Sequence, residues 1–496
     1  MYGVLSRSAM HSYSFHCIHC IGALAYGITH PTLNKNLFHY AYFALENLPF
    51  KRAMKTSQEE INDQPYKSET EQNNHSCTQL SQLGDNCDCA FDGAMITLVP
   101  ITDAAHLVHG PNGCIGNYWG GRDSLSSGSL MYKNCFTSDM DESDIIFGGA
   151  KKLYRGILEL QRRYKPAAIF VYSTCVSALI GDDINGACRE AAEIIGTPVI
   201  PVDAPGFVGH RNQGIRLASE ALLEYVIGTA EPDTTTLHDI NLIGEYNIGG
   251  DIWNILPMLE ELGIRVLAKI TGDARYQEIC YAHRAKLNVV NSSAKAMLKM
   301  ARQMEERFHI PYITESFYGI EHLNRCLRNI AAKLGETELQ VRTENLINSE
   351  TTALNNQLDF YLPSLQGKRI LIDITNLNNW AIVSAIQYLE MEVLLTSTNK
   401  ITQDNQRKIK GLFGDNAKIL EIEISQLITE FKPDLLIASN HYQATAMKTK
   451  IPFLDINQER KNAYTGYAGI ISVAQELYTT LHSPVWEQVR RPAPWE

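Results

Sequence analysis

Residues 167–184 read AAIFVYSTCVSALIGDDI, and the first seven of them decide what kind of fold the chain can adopt. The run AAIFVYS (167–173) follows Pro166, is apolar nearly throughout, and stops at a threonine. It is too short for a buried helix and does not alternate as a half-buried strand would. A strand covered on both faces reads this way, and such strands belong to parallel sheets flanked by helices. A second run of the same kind, TPVIPVD (197–203), follows a helical segment at roughly 182–195. Strand, helix and strand in that order form the unit of a doubly wound α/β fold.

The pattern continues in both directions. A Pro/Thr-rich linker, GTAEPDTTT (228–236), precedes INLIGEY (240–246), IRVLAKI (264–270) and IPYITES (310–316), which alternate with helices. GKRILIDI (367–374), EVLLTS (392–397) and PDLLIAS (433–439) follow. The expected architecture is therefore α/β, with three doubly wound, Rossmann-like domains built on parallel sheets, at 89–235, 236–365 and 366–496. In the helix expected near 294–308, Met297, Met300, Ala301, Met304 and Phe308 form one apolar stripe, which reads as core. Residues 54–88 read as a polar flexible tail. Residues 1–53 form an N-terminal extension in which Cys17 and Cys20 make a lone CxxC, and Met54 offers a second start of translation.

Composition narrows the classes of function. A length of 496 residues suits several cores. A net charge of -11, with no basic run, speaks against a nucleic-acid partner. No apolar stretch approaches the roughly 18 residues that span a bilayer, so a cytoplasmic protein without membrane association is expected. The chain has 11 cysteines and no secretory signal, which favours reduced thiols, some of them candidate metal ligands.

Three of those thiols have unusual neighbours. Cys89 opens CAFDGA, Cys114 sits between Gly113 and Gly116 in VHGPNGCIGNYW, and Cys175 follows the 167–173 strand. A residue at the C-terminal end of a parallel strand faces the usual ligand crevice. The three lie too far apart in sequence for a zinc ribbon or a ferredoxin run. They are either buried structural thiols or ligands of an iron–sulfur cluster assembled by the fold. Three thiolates leave a four-iron cube one ligand short, which a partner chain would supply. By contrast, Cys188, Cys280 and Cys326 lie in helical text and Cys135 in a loop. The segment GGAKK (148–152) lacks the spacing of a phosphate-binding loop, and no nucleophile–base pair stands out.

Together, CAFDGA (89–94), ITDAAHLVHGPNGC (101–114), FTSDMDESDIIFGGAKKLY (136–154), STCVSALIGDDI (173–184), INLIGEYNIGG (240–250) and IPFLDINQER (451–460) resemble the nitrogenase component 1 family. The resemblance is to its alpha-chain-like branch, on which the iron–molybdenum cofactor is matured. It runs from about residue 54 to the C-terminal RRPAPWE and leaves 1–53 uncovered. It implies that Cys89, Cys114 and Cys175 hold a 4Fe-4S cluster at a subunit boundary, with the fourth ligand from a NifN-like homologous subunit in a heterotetramer. A transient iron-protein reductase and a cofactor-precursor donor are implied as further partners. The active alpha chain holds its cofactor by a cysteine and a histidine. The position matching that histidine is Asn457 here, and a second histidine beside the cofactor is replaced by Ile215. Isoleucine has nothing to titrate. The resemblance therefore implies no catalytic residues and a scaffold in cofactor biosynthesis, the alternatives being a nitrogenase-type oxidoreductase subunit or an unmetallated structural paralogue.

The chain also departs from the assembly branch itself. Where that branch places a cysteine for the cofactor precursor, KLNVVNSSAKAML has Ser292 and Ser293, and a serine hydroxyl is a poor ligand for iron held in sulfide. Locally the pair reads as a helix N-cap. A Thr-Gly-Gly turn has become Ile374-Thr375-Asn376, and Gly-Gly-Arg-Asn has become Ser439-Asn440-His441-Tyr442. An anion-binding arginine is thereby lost, and His441 is a conceivable substitute ligand. Arg122 and Asn212 keep their places at the precursor pocket by the same resemblance. The expectation is a chain that keeps its interfacial cluster but holds the precursor weakly or not at all.

Overall fold

Strands buried on both faces need helices on both sides, and the chain supplies them by alternation. The computed structural model describes residues 89–121, 134–374, 381–397, 406, 409–410, 419–420, 422–455 and 462–492. The extension and tail (1–88), Arg122, Thr375, Asn376 and Asn457 lie outside the described residues.

The first sheet contains β1 (Ala105–His109), β2 (Cys135–Thr137), β3 (Ile169–Ser173) and β4 (Val199–Val202), all parallel, in the order β2-β1-β3-β4. Every residue of β1 and β3 is buried, as the unbroken apolar run at 167–173 implies. The second sheet has β5 (Asp239–Ile243), β6 (Arg265–Ile270), β7 (Leu287–Asn291) and β8 (Tyr312–Glu315), ordered β6-β5-β7-β8. The third has β9 (Arg369–Asp373), β10 (Glu392–Thr396), β11 (Ile419–Leu420), β12 (Leu435–Ala438) and β13 (Phe453–Asp455), ordered β11-β10-β9-β12-β13. All pairings within these sheets are parallel.

In each sheet the chain first winds to one side and then crosses to the other. The reversal falls between β1 and β3, between β5 and β7, and between β9 and β12. Loops diverge at such a point and leave a crevice beyond the strand C-termini, where doubly wound folds bind ligands.

The sheets are separate, but the cores are not. Met95, Tyr172 and Leu222 share one apolar cluster with Ile270, Met300 and Met304, joining first and second sheets. Ile240, Leu259 and Leu327 share another with Ile370, Val383 and Leu477, joining second and third. The methionine stripe is core as expected, although a 3-10 turn, Lys295–Met297, precedes the α-helix Leu298–Phe308. Neither serine caps it. The residue before the 3-10 turn is Ala294, without a side-chain cap bond, and the Ser293 hydroxyl donates to Asn291 Oδ1 instead.

One helix crossing sets the geometry of the first crevice. Helix Ala90–Leu98 packs on helix Arg211–Tyr225 with backbones almost touching. A Cβ on Gly93 would lie 2.0 Å from the Arg211 carbonyl oxygen, and one on Gly214 would lie 1.8 Å from that of Ala90. Only glycine permits this approach. Among the described residues, no helix is long and apolar enough to cross a membrane.

Candidate functional site

The three candidate cysteines all stand at the start of a helix. Cys89 is the N-cap of Ala90–Leu98, Cys114 is in the first turn of Asn112–Gly121, and Cys175 is the first residue of Cys175–Ile180. Thus the glycine-rich stretch around Cys114 opens a helix rather than forming an open turn. Amide groups at helix N-termini favour negative charge, and thiolates with it. Cys114 and Cys175 follow β1 and β3, the neighbouring strands that flank the reversal of the first sheet, paired in register up to His109 and Ser173. The Thr174 hydroxyl donates to the His109 carbonyl at 2.9 Å, knitting the two loops together.

Cys89 reaches the same place from another direction. It bridges His210 in antiparallel fashion, and the Ala90 amide donates to the Gly209 carbonyl at 2.9 Å. A Cβ built on Gly206 would sit 3.0 Å from Cys175 Sγ and 3.1 Å from Cys89 Sγ. Two sulfurs distant in sequence therefore converge on one glycine, which leaves room that any side chain would fill. At Gly113 and Gly116 an added Cβ would meet nothing within 4 Å, so the backbone beside Cys114 faces open space. Among the described residues no three His, Cys, Asp or Glu side chains close on a single ion. A four-iron cube is larger than an ion and takes thiolates from widely separated segments, so the donor set suits it.

The remaining described cysteines behave differently. Cys135, Cys188, Cys280 and Cys326 are buried, whereas Cys89, Cys114 and Cys175 are half-buried. Cys135 begins β2 rather than lying in a loop. Burial pushes its thiol and that of Cys188 up to about 12, and raises those of Cys280 and Cys326. Such thiols stay protonated and act as small hydrophobes.

Of the described candidate pocket residues, Ser292, Ser293 and His441 lie at the other two crevices, whereas Asn212 lies on the helix that frames the first. Ser292 and Ser293 follow β7 beside the second reversal and are exposed. Ile374 directly follows β9 and is buried, and Ser439 to Tyr442 follow β12, so both flank the third reversal. His441 is exposed, lies 2.9 Å from the Ser439 hydroxyl through Nδ1, and packs its ring on Tyr442. Asn212 is exposed in the first turn of Arg211–Tyr225, and Ile215 is buried in the core shared by the first two sheets.

Three polar residues were not singled out by the sequence. His109, buried at the end of β1, lies 2.9 Å from both Ser138 Oγ and Asp182 Oδ2, and burial lowers its pKa despite the carboxylate. Glu245 and Asp251 lie beyond β5. Their signal in the sequence is the placement of GEYNIGGD (244–251) directly after a buried strand, at the end where doubly wound folds bind ligands.

Parallel sheets with half-buried thiols at the first reversal define a class, and comparison agrees with it. The nitrogenase component 1 type oxidoreductase family matches residues 89–482, and the chain belongs to that family. Within it, the chain is similar to the nitrogenase iron-molybdenum cofactor biosynthesis protein NifE of Nostoc sp., with 58% identity over 89% of this chain and 95% of that one. The NifE of Klebsiella pneumoniae is 41% identical over 87% of this chain and 98% of its own length. Among solved structures, nitrogenase Cp1 at pH 5 is 28% identical with a TM-score of 0.69, covering 82% of this chain and 90% of that one.

Proposed function

We propose that the chain is a scaffold subunit for biosynthesis of the nitrogenase iron–molybdenum cofactor, bearing a 4Fe-4S cluster on Cys89, Cys114 and Cys175. The observation that carries this is the convergence of Cys89 and Cys175 on Gly206 at the first reversal. A NifN-like homologous subunit supplies the fourth ligand and completes a heterotetramer. Phe207 and Val208, next to Gly206, and Leu179, one turn beyond Cys175, are exposed apolar side chains that such a subunit would cover. The exposed pair Ile146 and Phe147 ends a helix packed against the one that Cys175 begins, a placement that suits a transient iron-protein reductase. The cofactor precursor is cargo, delivered by a donor protein to the crevices of the second and third sheets. Without a cysteine at 292 or 293 it is held weakly, and Arg122, Asn212, His441 and Asn457 are the remaining candidates to touch it.

The test is anaerobic co-purification with the partner, followed by iron and sulfide analysis. One small cluster per chain and a broad brown absorption band are expected. A colourless complex, or a colour that survives Cys89→Ala, sinks the proposal. Iron well beyond one cluster per chain overturns the weak-binding part alone.

A further inference from the structure

The crevice of the second sheet holds a carboxyl group that the reading above does not employ. Glu245 is half-buried just beyond β5. Its Oε2 accepts from Asn291 Nδ2 at 3.0 Å and from the Tyr318 hydroxyl at 3.2 Å, while Oε1 accepts from the Asn247 amide at 3.2 Å. The three donors come from the ends of β5, β7 and β8, so one side chain ties together the loops that form the crevice. Asn291 is held at both ends, because its Oδ1 accepts from the Ser293 amide at 3.1 Å and the Ser293 hydroxyl at 2.9 Å. Fixing the Asn291 amide therefore fixes the turn that presents Ser292 and Ser293.

Glu245 also belongs to a closed ring. Asn247 Oδ1 accepts from the Ile252 amide at 2.8 Å. The neighbouring Asp251 accepts from the amides of Tyr464 at 2.9 Å and Thr465 at 3.2 Å, and its carbonyl accepts from the Thr465 hydroxyl at 2.7 Å. Thr465 bridges Tyr318, which returns to Glu245. The ring thus leaves the second sheet, enters the segment before helix Gly466–Leu481, and comes back.

Among the described residues, no ion pair joins a basic side chain to either carboxylate. Burial, and then Asp251, push Glu245 up to about 8, and burial also raises Asp251. The other titratable groups facing the pair are the Tyr318 hydroxyl and the phenol of Tyr246, itself raised by burial. Near neutral pH a proton held by the pair keeps two like charges from forming side by side.

We propose that Glu245 is the positioning residue of this crevice, the acceptor that orders the Ser292–Ser293 turn and locks it to residues 464–466. This deepens the scaffold reading, since the crevice is the one assigned to the precursor, but the ring belongs to the chain alone. The experiment is amide hydrogen exchange on the complex with its partner from pH 6 to pH 9, on the parent, Glu245→Ala and Glu245→Gln. In Glu245→Ala the Ser293 and Thr465 amides should exchange roughly tenfold faster, with the brown band unchanged. The parent should lose protection there as pH rises, whereas Glu245→Gln, which cannot ionise, should not. Unchanged protection in Glu245→Ala, or a Gln profile that follows the parent, overturns the proposal. Should the alanine variant fail to fold, the Gln comparison decides alone. If the turn loosens as expected in a complex whose parent form is colourless, the positioning role stands and only the scaffold reading falls.

Discussion

The first and second sheets are wound in the same order, reverse at the same place and open a crevice at the same end, yet their crevices offer opposite chemistry. In the first, half-buried thiols gather beside a glycine, with helix N-termini behind them. In the second, exposed serine hydroxyls stand beside a carboxyl held by three donors. The thiol crevice suits soft metal ligation and the oxygen-lined one does not. The fold thus supplies the crevice, and the side chains at the strand ends decide what it can hold.

The sharpest way to break this comparison is to remove the first crevice's frame. Gly214→Val would drive a side chain into the Ala90 carbonyl, at a cost of about 3 kcal/mol or more. Thermal unfolding should show the loss, and cluster colour should go with it because Cys89 begins the displaced helix. Cys175→Ala should remove the colour while leaving the chain folded, read by absorption and circular dichroism. Gly206→Val, which crowds both sulfurs, should lower iron content without unfolding the chain.

Three further variants sharpen the difference. Ser292→Cys gives the second crevice a thiolate, and iron per chain should then rise above one small cluster, measured after exposure to precursor-loaded donor. The Glu245 penalty should appear in stability against pH. The folded chain keeps a proton from about pH 4, where an unfolded glutamate titrates, to about pH 8, so stability falls as pH rises through that window. Glu245→Gln should therefore match the parent near pH 4 and exceed it by roughly 2 kcal/mol at pH 9, by chemical denaturation. Cys135→Ser should cost the least, roughly 1–2 kcal/mol for a buried hydroxyl, with no change of colour. A change of colour there would erase the distinction between the two kinds of cysteine.

Much of the fold was legible because buried parallel strands are continuous apolar runs and the methionine stripe has helical period. The crevice position of Cys175 was legible for the same reason, since it follows such a run. The N-cap expected at Ser292–Ser293 failed because the Ser293 hydroxyl donates to Asn291 Oδ1, on a side chain anchored by Glu245, instead of accepting from the amides at the helix start. The Glu245 ring could not be read at all, since its members lie from 245 to 465 and share no local pattern.

By itself the sequence determined the α/β class, the three parallel sheets and the place of Cys175 at a strand end, because those follow from neighbours along the chain. Only the tertiary structure decided that Cys89 and Cys175 meet at Gly206, that the three sheets share continuous cores, and that Glu245 ties the second sheet to the third. Contacts of that kind depend on close backbone approaches such as Gly93 against Arg211, and no one-dimensional pattern encodes which distant segments will meet.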